Sequence, residues 1–220
     1  QAVYFGGCWW AFKSGVSAGV LAIFMSLQPI VVAILAPYLV REAVNWRRWL
    51  GLLLGLAGVV IVIAARADIE PPSFMNLLLA LIGLSGITGG VLYEKRFGIS
   101  YHPLVSNSVQ YGAAFLIVLP IAYLTEPMRV DFQPEFFAAF AYLVIGNSII
   151  AISLLLAMIR AGEVARVSSL MFLVPPLAAL VGWILLDEYM PLIGGVGMVL
   201  AAIGVSIATQ TKKQKTASDT

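Results

Sequence analysis

The stretch SAGVLAIFMSLQPIVVAILAPYLVRE, residues 17–42, returns 146 positions later as EVARVSSLMFLVPPLAALVGWILLDE, residues 163–188. At that offset the segment from Ala11 to Ile61 falls on Ala157 to Ile207 without a gap. Met25 meets Met171, Leu27 meets Leu173, Pro29 meets Pro175, Ala33 meets Ala179, Leu39 meets Leu185 and Glu42 meets Glu188. The register continues past the turn, where Gly51 meets Gly197, Leu54 meets Leu200, Gly58 meets Gly204 and Val59 meets Val205. A very apolar chain that contains one unit twice has the organisation of secondary transporters, which hold substrate between their two halves.

Composition names the solvent. A chain with 61% hydrophobic and 11% charged residues cannot be arranged around one water-soluble core, so it reads as an integral membrane protein. A span needs about 20 apolar residues, and a charge at its centre costs about 3 kcal/mol. Charges therefore mark span ends, and they predict helices near 16–40, 46–65, 74–94, 103–124, 136–160, 164–186 and 190–210. Residues 1–12, QAVYFGGCWWAF, read as the second half of an eighth helix, and a first residue Gln1 in place of Met predicts a fragment. No segment alternates apolar and polar residues over the roughly 10 positions that a membrane barrel strand requires, which leaves an all-α class. The chain opens with no basic segment, short apolar core and cleavage site of a signal peptide, and the lone Cys8 excludes an intrachain disulfide.

Basic residues fix the orientation, because those near span ends stay on the cytoplasmic side. One side collects Arg41, Arg47, Arg48, Lys95, Arg96, Arg160, Arg166, Lys212, Lys213 and Lys215; the other has Lys13, Arg66 and Arg129. The C-terminal tail is then cytoplasmic. The turn holding Glu42 lies inside, while its counterpart at Asp187 and Glu188 lies outside, so the repeats are inverted. The offset contains five helix starts, which predicts two five-helix units, ten helices in all, with about two and a half of them upstream of Gln1. Residues 1–66 form the end of the first unit, 74–210 the second, and 211–220 a basic tail.

These elements resemble the drug/metabolite transporter superfamily with its EamA-type repeats. In each copy a small-residue helix start is followed by a mid-helix proline, a Glu at the next turn and a Gly-rich closing helix: WLGLLLGLAGVVIVI, residues 49–63, and LIGGVGMVLAAIGVSI, residues 192–207. The likeness covers the second repeat and the last part of the first. Two departures stand out: the first two helices of the family pattern are absent, and Val40-Arg41 precedes Glu42 where a Leu-Gly pair is usual. The resemblance implies ten helices around a central cavity and movement of small organic metabolites, often outward.

The residues give candidate sites independently. A proline inside a helix frees the carbonyl four residues back, and in hydrocarbon such a carbonyl is tolerated where it lines protein or a watery cavity. Pro29, Pro175 and Pro176 are therefore candidate hinges beside a cavity, or simply shape packing. Polar groups deep in spans are costly unless they face a partner or water. Gln28 beside the first proline and Asn147 halfway along its helix are candidate substrate contacts, with a plain helix-to-helix hydrogen bond as the alternative role. Asn107 and Gln110 lie nearer a membrane boundary and read as packing residues; Ser85, Thr88 and Ser153 can bond their own backbone. Aromatic walls and cation-binding faces have candidates in Trp9, Trp10, Tyr93, Tyr111 and Trp183, of which Tyr111 and Trp183 lie furthest in. Trp46 and Trp49 beside Arg47 and Arg48 read as interface anchors.

Gly51 and Gly55, Gly197 and Ala201, and Gly204 and Ala208 are small-xxx-small pairs that let helices approach closely. They predict packing of the two closing helices on each other, or a homodimer face. Glu42 and Glu188 suit helix capping or loop salt bridges, and Glu94 with Lys95 and Arg96 is expected to be solvated at a helix end. No complete span carries a central Asp, Glu or His, so a proton-coupling group is expected either upstream or not as a buried carboxylate. His102 is expected in a cytoplasmic loop, and the basic tail can touch anionic lipid. No nucleophile with a base, metal cluster or phosphate loop is present, which argues against an enzyme and calls for no cofactor. A net charge of +2 spread over loop ends argues against nucleic-acid binding. The expected function is a multi-pass inner-membrane carrier of small metabolites, amino-acid-like or drug-like, working by alternating access; the alternative is a non-transporting scaffold or accessory subunit.

Overall fold

The computed structural model describes residues 1–65, 73–97, 102–126, 132–185 and 191–210, and among them every regular element is a helix. In chain order these are α1 (Ala2–Lys13), α2 (Ala18–Met25), α3 (Gln28–Leu39), α4 (Trp46–Ala64), α5 (Phe74–Phe97), α6 (Pro103–Thr125) and α7 (Pro134–Ala141). A π-helical stretch, Tyr142–Ala151, leads from α7 into α8 (Ile152–Ala161), followed by α9 (Val164–Ser169), a 3-10 turn (Leu170–Leu173), α10 (Val174–Leu185) and α11 (Leu192–Thr209). Among the described residues seven spans are long and apolar enough to cross a membrane, at the places the charge pattern predicts: Ala18–Leu39, Trp46–Ala64, Phe74–Phe97, Pro103–Thr125, Phe136–Ala161, Val164–Val181 and Leu192–Thr209. Their outer faces present Phe115, Leu116 and Leu124 to the surroundings, a surface suited to lipid and not to water.

Local chemistry sets the helix ends. Asn45 lies in extended backbone, and its side-chain oxygen accepts a 2.8 Å hydrogen bond from the Arg48 N–H, capping α4. Ser17 caps α2 in the same way by accepting from the Val20 N–H. Asn45→Ala should lower stability by about 1 kcal/mol while Asn45→Asp keeps it, as read by thermal unfolding in detergent. Beyond the end of α3, Arg41 has φ 57°, a left-handed conformation that costs a residue with a Cβ about 1–2 kcal/mol.

The spans that carry Pro29 and Pro175 are broken, not merely kinked. Ser26 and Leu27 separate α2 from α3, and the Leu27 N–H turns back to the Phe24 carbonyl at 3.1 Å, in the tighter 3-10 pattern. Pro29 then falls in the first turn of α3, where its missing N–H leaves no hydrogen bond unmade. The equivalent place in the second copy is the 3-10 turn, with Pro175 and Pro176 in the first turn of α10. The same span is thus interrupted at the same point in both repeats.

The core lies where the two closing helices meet. Along α4 from Gly51 to Gly58, the facing residue on α11 runs back from Gly204 to Gly197, so the helices are antiparallel. A Cβ on Gly51 would stand 2.6 Å from the Gly204 carbonyl oxygen, and one on Gly58 would stand 2.6 Å from that of Gly197. Since Gly51 is equivalent to Gly197 and Gly58 to Gly204, these are one contact made twice about a pseudo-two-fold axis. The inverted repeat is visible in this crossing, and the glycine surfaces are covered within one chain. Beside it the fully buried Phe172 ring fills the space over Gly55, packed with Leu52, Val59, Ala201 and Val205.

Candidate functional site

Helix α6 begins at Pro103, where the His102 Nδ1 accepts from the Leu104 N–H at 3.3 Å. Helical spacing then puts Asn107, Gln110 and Tyr111 on one side of α6, with Ser106 beside Gln110. Asn107 is 4% exposed. Its Nδ2 donates to the Ser148 carbonyl at 2.6 Å and to the Ser153 Oγ at 3.1 Å, while its Oδ1 has no partner. Ser148 lies in the π-helical stretch, a geometry that recurs at functional sites. Asn107 therefore does tie helices together, as the sequence reading expects, but from a buried position beside a charged pair.

That pair is Glu94 of α5 and Arg160 of α8. Glu94 is 6% exposed. The Arg160 Nε and Nη2 reach its Oε1 at 2.7 and 2.5 Å, and the Gln110 Nε2 donates to its Oε2 at 3.4 Å. Arg160 also donates to the Ser106 Oγ at 2.5 Å. This corrects one expectation: Glu94, near the end of α5, is not solvated but buried and paired. The physical reason is helical rotation. Successive residues point about 100° apart, so the adjacent Glu94 and Lys95 serve different neighbours, and a charge run at a span end need not face water as a whole. A buried carboxylate costs several kcal/mol unless paired and hydrogen-bonded, and here both its oxygens have donors.

Lys95 turns instead to the α3–α4 turn and the α8–α9 junction, 3.2 Å from the Glu42 Oε1 and donating to the Gly162 carbonyl at 2.6 Å. The other Glu42 oxygen accepts from the Val164 N–H at 2.6 Å at the start of α9. Glu42 thus both caps a helix and makes a salt bridge; Glu188 lies outside the described residues. Arg48, 5% exposed, donates to the Ala208 carbonyl at 3.3 Å and pairs with Glu163. These contacts join the ends of α4, α5, α8, α9 and α11 on the side rich in basic residues. At the opposite end Lys13 holds Glu126 at 2.7 Å and the Thr125 carbonyl at 3.3 Å.

The four residues singled out as substrate contacts are dispersed. Gln28 is 2% exposed, with its Oε1 unpartnered, and the Tyr111 hydroxyl is likewise buried without a partner. They sit on α3 and α6, which make no extensive contact with each other. Asn147 is exposed in the π-helical stretch, and Trp183 is 51% exposed on α10. Thr88 Oγ1 and Ser168 Oγ are further buried groups with no hydrogen bond, the kind of atom that a water or ligand satisfies. Trp9 and Trp10 line an apolar groove of about 690 Å³ with Ile82, Ile117 and Ile121. What the fold gathers is Glu94, Arg160, Ser106, Asn107 and Gln110. The missed signal is two opposite charges at the same membrane level, Glu94 and Arg160, on facing spans.

Comparison with known proteins agrees with this architecture. The model of the EamA-like transporter family matches residues 2–64 and 73–210. Protein PecM of Dickeya dadantii is 27% identical over 206 residues, covering 90% of this chain and 68% of PecM. The uncharacterized transporter YvbV of Bacillus subtilis is 23% identical over 205 residues, covering 91% of this chain and 66% of YvbV. An uncharacterized transporter of Archaeoglobus fulgidus is 26% identical over 200 residues, covering 87% of this chain and 68% of its own length. The chain thus spans about two thirds of the length of these relatives. A crystal structure at 19% identity superposes with a TM-score of 0.77 over 94% of this chain and 72% of that one, a likeness of fold. With its inverted repeats and seven apolar spans, this chain is a multi-pass membrane protein of the EamA-like transporter family.

Proposed function

We propose that this chain forms the carrier body of an inner-membrane protein that exports small organic metabolites, amino-acid-like or drug-like, by alternating access. The C-terminal tail is cytoplasmic in this reading. One observation carries it: a paired carboxylate and guanidinium, with amide and hydroxyl partners, buried between spans of an apolar inverted repeat. Ionisable groups buried between spans mark substrate or ion pathways, and Glu94 supplies a carboxylate to which an ion can couple. Gln28 and Tyr111 offer unpartnered polar atoms to a substrate, Asn147 and Trp183 add contacts from the second repeat, and the breaks at Pro29 and at Pro175 and Pro176 let the spans rearrange. The ion pairs on the basic side hold that end closed.

Metabolite profiling of cells and medium, with the native gene deleted or overexpressed, tests export. A compound that accumulates inside on deletion and outside on overexpression supports it; no change across several nutrient conditions sinks it. Gln28→Ala and Asn147→Ala in the native protein should each reduce transport several-fold with membrane insertion intact. Unchanged kinetics in both would remove them from the site. Thiol labelling after Cys8→Ala, with cysteines introduced at positions 28 and 147, should find both reactive to a membrane-impermeant reagent. Protection at position 28 would mark packed structure instead of a watery path.

A further inference from the structure

Between the ends of α3 and α5 on the basic side lies a cavity of about 350 Å³ lined by Tyr38, Leu39, Val40, Arg41, Lys95 and Arg96. Three cations share this space with one nearby acid, Glu42, which is already engaged by Lys95 and the Val164 N–H. Lys95 is held in place by those contacts and by the Gly162 carbonyl. Arg41 and Arg96 are exposed, and the Arg96 guanidinium sits 5.2 Å over the Phe97 ring. The cavity is therefore cationic, with Lys95 fixed and the two guanidinium groups exposed at it. Arg41 adds an independent sign. Its φ of 57° is one that a glycine would take without strain, so the chain keeps a strained backbone and gains a guanidinium here. Strain of this kind points from an outlier towards a use for the side chain.

We infer that this cavity binds a phosphate-bearing anion through Arg41 and Arg96, with Lys95 as a fixed third charge. Planar guanidinium groups match phosphate oxygens in pairs, and basic pockets between membrane helices take anionic lipid headgroups. The surroundings favour the lipid as the source. Tyr38 is 80% exposed beside the cavity, and Tyr93 packs on Phe97 with ring centroids 5.0 Å apart, an aromatic rim at the level where headgroups and acyl chains meet.

The test is lipid retention by the native protein purified in detergent, read by native mass spectrometry with phosphatidylglycerol against phosphatidylcholine, and repeated with inorganic phosphate added. Wild type should prefer phosphatidylglycerol by about tenfold or more, given about 1 kcal/mol for each basic residue near an anionic surface. Arg41→Gln with Arg96→Gln should remove that preference. Arg41→Gly separates binding from folding: it should melt no lower than wild type yet lose most of the preference. Neutralising Lys212, Lys213 and Lys215 to Gln should leave the preference intact. Retention that millimolar phosphate does not displace identifies a lipid headgroup. Binding of phosphate itself in phosphatidylcholine nanodiscs, abolished by the double substitution, identifies a soluble phosphate compound. Equal lipid and phosphate binding by wild type and the double variant overturns the site, as does a preference that follows the tail lysines.

Discussion

Gly58→Ala should lower the stability of this protein by about 3 kcal/mol, and Gly58→Val should prevent folded protein from accumulating. Overpacking a tight core costs about 1–3 kcal/mol and sometimes more. At this crossing the new Cβ would meet the backbone of Gly197 and Ala201, and a helix backbone cannot rotate away as a side-chain tip can. Gly204→Ala, its equivalent, should behave alike, because its Cβ would meet the backbone of Gly51 and Gly55. Gly89 and Gly90 provide the control. Both lie within α5 with open space where a Cβ would go, so alanine there should leave stability within about 0.5 kcal/mol, the sign favoured by helix propensity. Thermal unfolding monitored by size-exclusion in detergent separates the two sets. Equal melting of Gly58→Ala and Gly89→Ala would contradict the close crossing.

Arg160→Ala should cost about 3–5 kcal/mol, because it leaves the Glu94 carboxylate buried without its cation. The double replacement Glu94→Gln with Arg160→Gln removes both charges and should recover most of that loss, since a neutral polar pair carries no desolvated charge. Transport then discriminates between roles. If Glu94 couples transport to an ion, the double variant is stable and inactive at every pH. A stable double variant with wild-type transport would make the pair a structural tie. Measuring stability and uptake or efflux on the same variants keeps the two outcomes apart.

The architecture was legible because its determinants are periodic and local. Apolar length located the seven spans, and the gapless match of Gly51 and Gly58 to Gly197 and Gly204 gave the symmetry that the α4–α11 crossing displays. The interruption at Pro29 and at Pro175 was readable as a perturbation, though not as a complete break, because only the three-dimensional chain shows the tighter turn that precedes each proline. The charged site was harder to read. Glu94 sits next to Lys95 and Arg96, and a rule that assigns charge runs to water averages over three directions around a helix. Its partner Arg160 is 66 residues away, so their meeting depends on how α5 and α8 pack.

The Gly51–Gly204 and Gly58–Gly197 contacts are related by exchange of the two halves, so the surface they form is self-complementary. Two separate polypeptides of this half-unit, inserted in opposite orientations, could join through it with no change of shape. Their union would then depend on concentration, and each would have to enter the bilayer both ways round. Joining the halves in one polypeptide replaces that encounter with a tethered one at high effective concentration. It also frees each half to acquire its own charges, so that Arg160 of the second copy stands where the first copy has Ser14.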